Sequence, residues 1–274
     1  MLSDAVATVV ALWRYPVKSM MGEQLNAAEV TDRGLLGDRA YALVDRETGK
    51  VASAKFPRKW PTLLAHRATY VDPPTGTDDL PAVRITLPDG RIVRSDDPDV
   101  DATLSADVGR DVALDRSAPA APSLEEYWPD IEGLDHRDAL TEEAMPPGTF
   151  FDLGIVHLLS TATLDELRQR YPEGRFEVRR FRPNVVVGAL EGQAGFVENG
   201  WVGRALTIGD DVRLRIAQPC PRCVMTTVAQ DDLPKDPGIL RTAARHNDVN
   251  VGVYATVERP GRILRGDEVR LVPS

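Results

Sequence analysis

Short runs in which apolar and β-branched residues alternate with polar ones, broken at close intervals by Gly, Pro, Asn and Asp, dominate the chain. A period of two predicts strands. In the first 115 or so residues VATVVALWRY, DRAYALVD, TLLAHRATYV, AVRITL and DVALDR read this way. The turn RETGK joins DRAYALVD to VASAK in a predicted hairpin, and Pro88-Asp89-Gly90 joins AVRITL to RIVRS, because Asp-Gly accepts the positive φ of a tight turn. DPDVDATLSADV reads as a short helix with Pro98 at its first position. The stretch 117–149, rich in Pro, Ala and acid, reads as an irregular connector, either a surface loop or a flap over a site. Beyond it IVHLLS, NVVVGA, ALTIGDDVRLRIA, CVMTTVA, NVGVYATVE and RILRGDEVRLV read as strands, with turns at Gly209-Asp210 and Gly266-Asp267. Thr163 and Glu166 have capping-box spacing and open a predicted helix, LDELRQRY, that Pro172 and Gly174 end; GILRTAARHN is a second. No internal repeat stands out. The expectation is a β-rich α+β protein with closed or strongly curled sheets.

Composition narrows the class. With 274 residues, 42% hydrophobic and 27% charged, the chain has an ordinary globular balance and room for one large domain or two small ones. No apolar run approaches the ~18–20 residues that cross a bilayer. The opening MLSDAVATVVALWRYPVKS has neither a basic n-region nor a small-residue cleavage site, so a cytoplasmic location is expected. The net charge of −9 argues against a general nucleic-acid or anionic-membrane binder, while leaving room for a local basic pocket. Of 33 basic residues 28 are arginine, the side chain suited to fixed anion recognition.

The two cysteines, Cys220 and Cys223, lie in Gln218-Pro219-Cys220-Pro221-Arg222-Cys223-Val224-Met225-Thr226-Thr227. A pair three apart cannot staple a fold of this length, and two thiols are too few for a four-thiolate zinc or iron–sulfur site. Three readings stay open. The thiols are small buried hydrophobes; or they form a thioredoxin-like dithiol, although the following VMTTVA looks like strand where that motif opens a helix; or a single thiolate, favoured by Arg222, binds a soft metal whose other ligands come from a cofactor. The histidines His66, His136, His157 and His246 show no ligand spacing, and His157 reads as a packed residue.

Several motifs then recur in order: Tyr15-Pro16-Val17-Lys18-Ser19, Gly37-Asp38-Arg39, Phe181-Arg182-Pro183-Asn184, Cys220-Pro221-Arg222-Cys223 with Thr226-Thr227, and Gly266-Asp267. With them the chain resembles, over almost its whole length, the MOSC family (molybdenum cofactor sulfurase C-terminal domain proteins), in the form with an N-terminal β-barrel domain and most like the amidoxime-reducing component proteins. The resemblance implies an N-terminal β-barrel-like domain over 1–116, the connector 117–149, and a MOSC β-barrel domain with short helices over 150–274. It implies the molybdenum cofactor, Mo-molybdopterin, with Cys223 as the metal ligand and Arg222 beside the metal. Pterin and phosphate contacts fall on Lys18, Ser19, Arg39, Asp152, Arg182 and Asn184, with Ser160 and Thr161 near that region. Pro221 stands where relatives often have Ser or Thr, and a proline offers neither an N–H nor a hydroxyl.

The residue types make chemical sense for such a group. Lys18, Arg39, Arg182 and Arg222 come from four distant segments and together supply positive charge for a phosphate and an electron-rich dithiolene. Pro183 biases Arg182 toward an extended backbone. Asn184 can donate and accept at a pterin edge, and Asp152 can accept from pterin N–H groups. The implied activity is reduction of small N-hydroxylated compounds with electrons from a separate redox protein or reductase. The alternative is a molybdopterin or sulfur carrier holding a persulfide on Cys223 without turnover.

Overall fold

The structure is a computed structural model and describes residues 5–77 and 79–273. Seven strands close into a barrel: β1 (Ala5–Arg14), β2 (Val156–Ser160), β3 (Val185–Ala189), β4 (Ala205–Ile208), β5 (Val212–Pro221), β6 (Asn250–Arg259) and β7 (Glu268–Leu271). Around the ring the order is β3-β2-β6-β5-β4-β7-β1, and β1 returns to β3. Every pairing is antiparallel except β2 with β3, whose parallel crossover carries two helices. Val9, Leu12, Leu158, Val187, Leu206, Leu214, Ile216, Val253 and Val269 fill the interior. Alternation alone puts Leu158 inside and Leu159 outside, against the helices.

Four helices accompany the sheets: α1 (Val100–Val108), α2 (Thr161–Arg170), α3 (Val178–Phe181) and α4 (Gly238–Asn247). None among the described residues is long and apolar enough to cross a membrane. The first half packs a second core from Val17, Met20, Leu43, Trp60, Ile85 and Leu104 between α1 and small sheets. Those sheets pair Ala42–Asp45 with Val112–Asp115, and Val83–Thr86 with both Arg67–Tyr70 and Ile92–Arg94. The halves interlock. Strand β1, from the start of the chain, closes the barrel of the second half, and Gly261–Leu264 pairs back onto Ala27–Thr31.

The β-rich α+β class is as the alternation predicts; several local expectations are corrected. The 117–149 stretch holds a regular hairpin, Ser123–Trp128 against Ala139–Ala144. Its second strand, ALTEEA, is too polar and exposed to signal itself. Helix α2 starts at Thr161, because the Ser160 hydroxyl accepts the Ala162 N–H at 3.1 Å; Thr163 instead donates to Glu198. Pro98 precedes the cap residue Asp99 of α1 and lies outside the helix. In VASAK only Val51 bridges, to Val44, and TLLAHRATYV begins with a 3-10 turn at Leu63–Ala65. The strand expected at CVMTTVA is a 3-10 turn, Val224–Thr227: the hydroxyls of Thr226 and Thr227 donate to the carbonyls of Cys223 and Val224, and these local bonds outcompete a sheet ladder.

Candidate functional site

Strand β5 delivers the thiol segment to the seam between the halves. Its pairing with β6 slips between Ile216 and Gln218 and again between Pro219 and Pro221. Such bulges re-aim a strand beside a site and accommodate proline. The two thiols end in different surroundings. Cys220 is fully buried, and its Sγ accepts from Arg222 Nη1 at 2.6 Å. Burial opposes ionisation there, but Arg222, with hydrogen bonds from His157 and Tyr254, outweighs it and holds the thiol below its ordinary range. Cys223 is half-buried and faces a cavity of about 230 Å³. Burial, and then the Glu126 carboxylate, push its thiol up to about 11.

A second, narrower cavity of about 50 Å³ adjoins the first and shares Lys55, Asp152, Arg222, Met225 and Tyr254 with it. Lys18, Ser19, Arg39, Asp152, Arg182, Asn184 and Arg222 all line this slot, so seven of the expected residues meet at one place. Backbone strain marks the spot. Ser19 (φ 63°), Arg39 (φ 49°) and Arg182 (φ 53°) are left-handed, as is Val249 (φ 65°) at the larger cavity. Such conformations cluster where geometry is imposed for function. The extended backbone expected for Arg182 is therefore corrected: it is the left-handed C-cap of α3, its N–H bonded to the Val178 carbonyl.

The cations are held by few carboxylates. Lys18 pairs with Asp152 and donates to the Phe150 carbonyl at 3.0 Å. Burial lowers the ammonium's pKa, with Asp152 opposing. Lys55 lies 2.9 Å from Glu126 and 3.6 Å from Asp152, so a chain of alternating charge, Glu126–Lys55–Asp152–Lys18, crosses the seam. Burial works against the Asp152 carboxylate, yet Lys18 and Lys55 outweigh it and hold the group well below its usual range. Arg39 pairs with Asp38. Arg39 and Arg182 both lie over the Tyr15 ring, at 5.2 and 4.1 Å. Burial, then the neighbouring Arg39, lower the Arg182 pKa to about 10. Asn184 ties the strands together: its Oδ1 accepts from the His157 N–H at 3.1 Å and its Nδ2 donates to the Trp13 carbonyl.

Ser160 and Thr161 are not in the slot. Ser160 caps α2, and the Thr161 hydroxyl accepts from the Ala189 N–H; both positions serve the crossover. His157 is packed, as expected, but it also lines the slot and binds the Val251 carbonyl through Nε2. Sequence reasoning missed Lys55, Glu126 and Tyr254. Glu126 carried a signal: in SLEEYW it shares the buried face with Leu124, and an acid on the inward face of a strand calls for a partner. Lys55 and Tyr254 carried none.

Comparison with known proteins assigns the family. The MOSC domain model matches residues 149–270, and the MOSC N-terminal beta barrel domain model matches residues 6–106. The chain is 31% identical to mitochondrial amidoxime reducing component 2 of Bos taurus, covering 96% of this chain and 83% of that protein. It is 27% identical to mitochondrial amidoxime-reducing component 1 of Homo sapiens, covering 99% and 85%. The chain belongs to the MOSC family. The YUAD protein from Bacillus subtilis shares the MOSC chain's fold, with a TM-score of 0.50 at 13% identity over 99% of this chain and 98% of that one.

The MOSC slot has a built-in need for an anion. Arg182 Nη2 and Arg222 Nε are buried and bond nothing among the described residues. Neighbouring nitrogens hold the two groups in place: Arg182 Nη1 donates to the Met20 carbonyl, and Arg222 Nη2 to the Phe181 carbonyl at 2.9 Å. A buried, unpaired guanidinium N–H costs on the order of 1–3 kcal/mol, more for a charged group, so an anion in the slot recovers what folding leaves unsatisfied. Among the described residues no three His, Cys, Asp or Glu side chains gather to hold a metal. The donors left to a ligand here are Arg182 Nη2, Arg222 Nε and the half-buried Cys223 thiol.

Proposed function

We propose that this chain is a molybdenum-cofactor-dependent reductase of N-hydroxylated compounds, supplied with electrons by a separate redox protein. The observation that carries the reading is the convergence of two unpaired buried guanidinium nitrogens on a slot that opens into the cavity of a half-buried thiol. The names of the full-length relatives, amidoxime-reducing components, supply the substrate class. In this reading Cys223 Sγ holds the metal, Lys18, Arg39 and Arg182 hold the phosphate end, and Arg222 Nε is the remaining donor between them. When bound, the cofactor supplies a two-electron centre able to cleave an N–O bond.

The overall change is R–NHOH + 2 e⁻ + 2 H⁺ → R–NH2 + H2O, so the site must supply protons as well as electrons. Glu126 is 4% exposed, and burial raises its carboxyl pKa against the pull of Lys55. Glu126 Oε2, which accepts from Lys55 Nζ at 2.9 Å, stands in the cavity wall, where a carboxyl can pass a proton to the substrate. Leu124, Trp128, Met145 and Leu153 line the same cavity and shield an apolar substrate body from water. A thiol pushed up to about 11 does not ionise alone near neutrality but yields its proton on metal binding.

The test compares Cys223→Ala with Cys220→Ala. The Cys223 variant is expected to lose bound molybdenum and all N-hydroxy reduction; the Cys220 variant is expected to keep the metal. Full reduction by Cys223→Ala overturns the reading. A persulfide on Cys223 by mass spectrometry, without molybdenum in the purified chain, replaces it with the sulfur carrier.

A further inference from the structure

The turn that carries Cys223 has two faces. Met225 lines the thiol cavity, whereas Val224 and Thr227 line a separate open groove of about 540 Å³. Three stretches far apart in sequence build this groove, within residues 57–61, 127–131 and 224–241. Its floor is apolar, with Pro57, Pro129, Ile131, Val224 and Val228. Its rim carries three exposed cations, one or two from each end: Arg58, Lys235 and Arg241.

No carboxylate among the described residues pairs with the rim cations. Arg58 lies 4.4 Å over the Tyr127 ring and donates to its hydroxyl. Lys235 and Arg241 have no side-chain partner among the described residues. Asp130, the carboxylate in the lining, is paired with Arg137 at 2.6 Å. The groove is thus a positive patch on a chain of net charge −9. An apolar centre inside a rim of one charge sign is the build of a transient protein interface, where the rim sets the rate of encounter and the choice of partner. Cations spread over two distant segments suit a broad acidic surface better than a small anion, which needs donors that converge. The groove floor is also one peptide bond from Cys223, through Val224.

We infer that this groove docks a small acidic one-electron carrier protein, the electron source of the reaction. The inference rests on the reductase reading and adds the face and the charge of the partner. Electrons then enter behind the thiol, and the substrate cavity stays free for the N-hydroxylated compound.

A plant-type ferredoxin serves as the acidic probe, titrated into the full chain by calorimetry at low and at physiological ionic strength. The groove variant is Arg58→Glu with Lys235→Glu and Arg241→Glu. The control reverses three exposed arginines outside the groove, Arg84→Glu with Arg245→Glu and Arg265→Glu, and has the same net charge. Wild-type affinity should fall with salt; the groove variant should bind at least about 30-fold more weakly at low salt, and the control within about threefold of wild type. The groove variant should also slow ferredoxin-driven turnover while leaving turnover with a chemical reductant unchanged. No salt-sensitive binding by wild type, or equal losses in both variants, overturns the inference. So does a groove variant that alters only the oligomeric state, which makes the groove a contact between copies. Binding is read without turnover, so absence of molybdenum from the purified chain overturns the functional reading as a separate result.

Discussion

The barrel interior and the seam beside it solve opposite problems with the same strands. Inside, β1, β2, β3, β5 and β6 present Val, Leu and Ile to one another, and Leu158, Leu214, Ile216 and Val253 are wholly buried. At the seam the ends of β3 and β5, with neighbouring loops, present Lys18, Arg39, Arg182 and Arg222, with left-handed backbone and unpaired donors. The interior stabilises the fold by removing apolar surface from water. The seam holds groups that destabilise the empty chain and favour an anion. Substitutions should therefore separate: interior changes lower stability, seam changes lower retention of the bound group.

The largest effect is expected inside. Leu158→Ala removes a fully buried side chain from the barrel interior and should cost about 2–5 kcal/mol. Urea unfolding measures it, and a loss under 1 kcal/mol contradicts a close-packed barrel.

Two carboxyls sharpen the contrast. Asp152, at the seam, has cations and is held ionised. Glu198, fully buried beside α2, is held by the Thr163 hydroxyl and the Ser160 N–H, and burial pushes its carboxyl up to about 7. Between the ordinary glutamate value and that point the folded chain keeps a proton that the unfolded chain releases. Stability from this group is thus fully present below the ordinary value and is lost as pH rises toward 7, by about 3 kcal/mol. Asp152 acts in the opposite sense and in a lower window, losing its contribution as pH falls below the ordinary carboxylate range. Unfolding from pH 5 to 8 should show Glu198→Gln gaining on the wild type across the interval; parallel curves refute the shift.

At the seam itself, Arg182→Gln should retain cofactor about 30-fold less well, near 2 kcal/mol, the scale of one charged hydrogen bond. Its melting point should change little, since the guanidinium leaves a crowd of like charges beside Arg39. Pterin and molybdenum content after dialysis, beside thermal unfolding, check both halves. Equal loss of both would make Arg182 a structural residue.

The same contrast explains what the sequence discloses. Alternation such as VATVVALWRY and NVGVYATVE reports a strand with a buried face, because a local pattern and a local structure share a period. That β1 closes a barrel with strands nearly 180 residues away has no local pattern. The seam was legible only where motifs are contiguous, as at Cys220-Pro221-Arg222-Cys223. Lys55 and Tyr254 reach it through turns and bulges that re-aim side chains, and Glu126 arrives on a hairpin whose partner strand is half polar and has no buried residue. Ser160 and Thr161 lie outside the slot for the converse reason: a helix start and a phosphate use the same short hydroxyl residues.

The smallest expected effect tests whether the seam stores strain. Asp248 ends α4 in a left-handed conformation, and Val249 continues it at φ 65°. For a β-branched residue that region is strongly disfavoured, at about 1–2 kcal/mol. The second left-handed residue turns the Val249 carbonyl to accept the Arg222 N–H at 2.9 Å, so the strain fixes the backbone next to Cys223. Asparagine tolerates this conformation. Val249→Asn should therefore stabilise the chain by about 1 kcal/mol while leaving that backbone bond, and molybdenum content, in place. A variant no more stable than wild type in urea means that neighbouring contacts already relieve the valine, and the seam then differs from the barrel in charge alone.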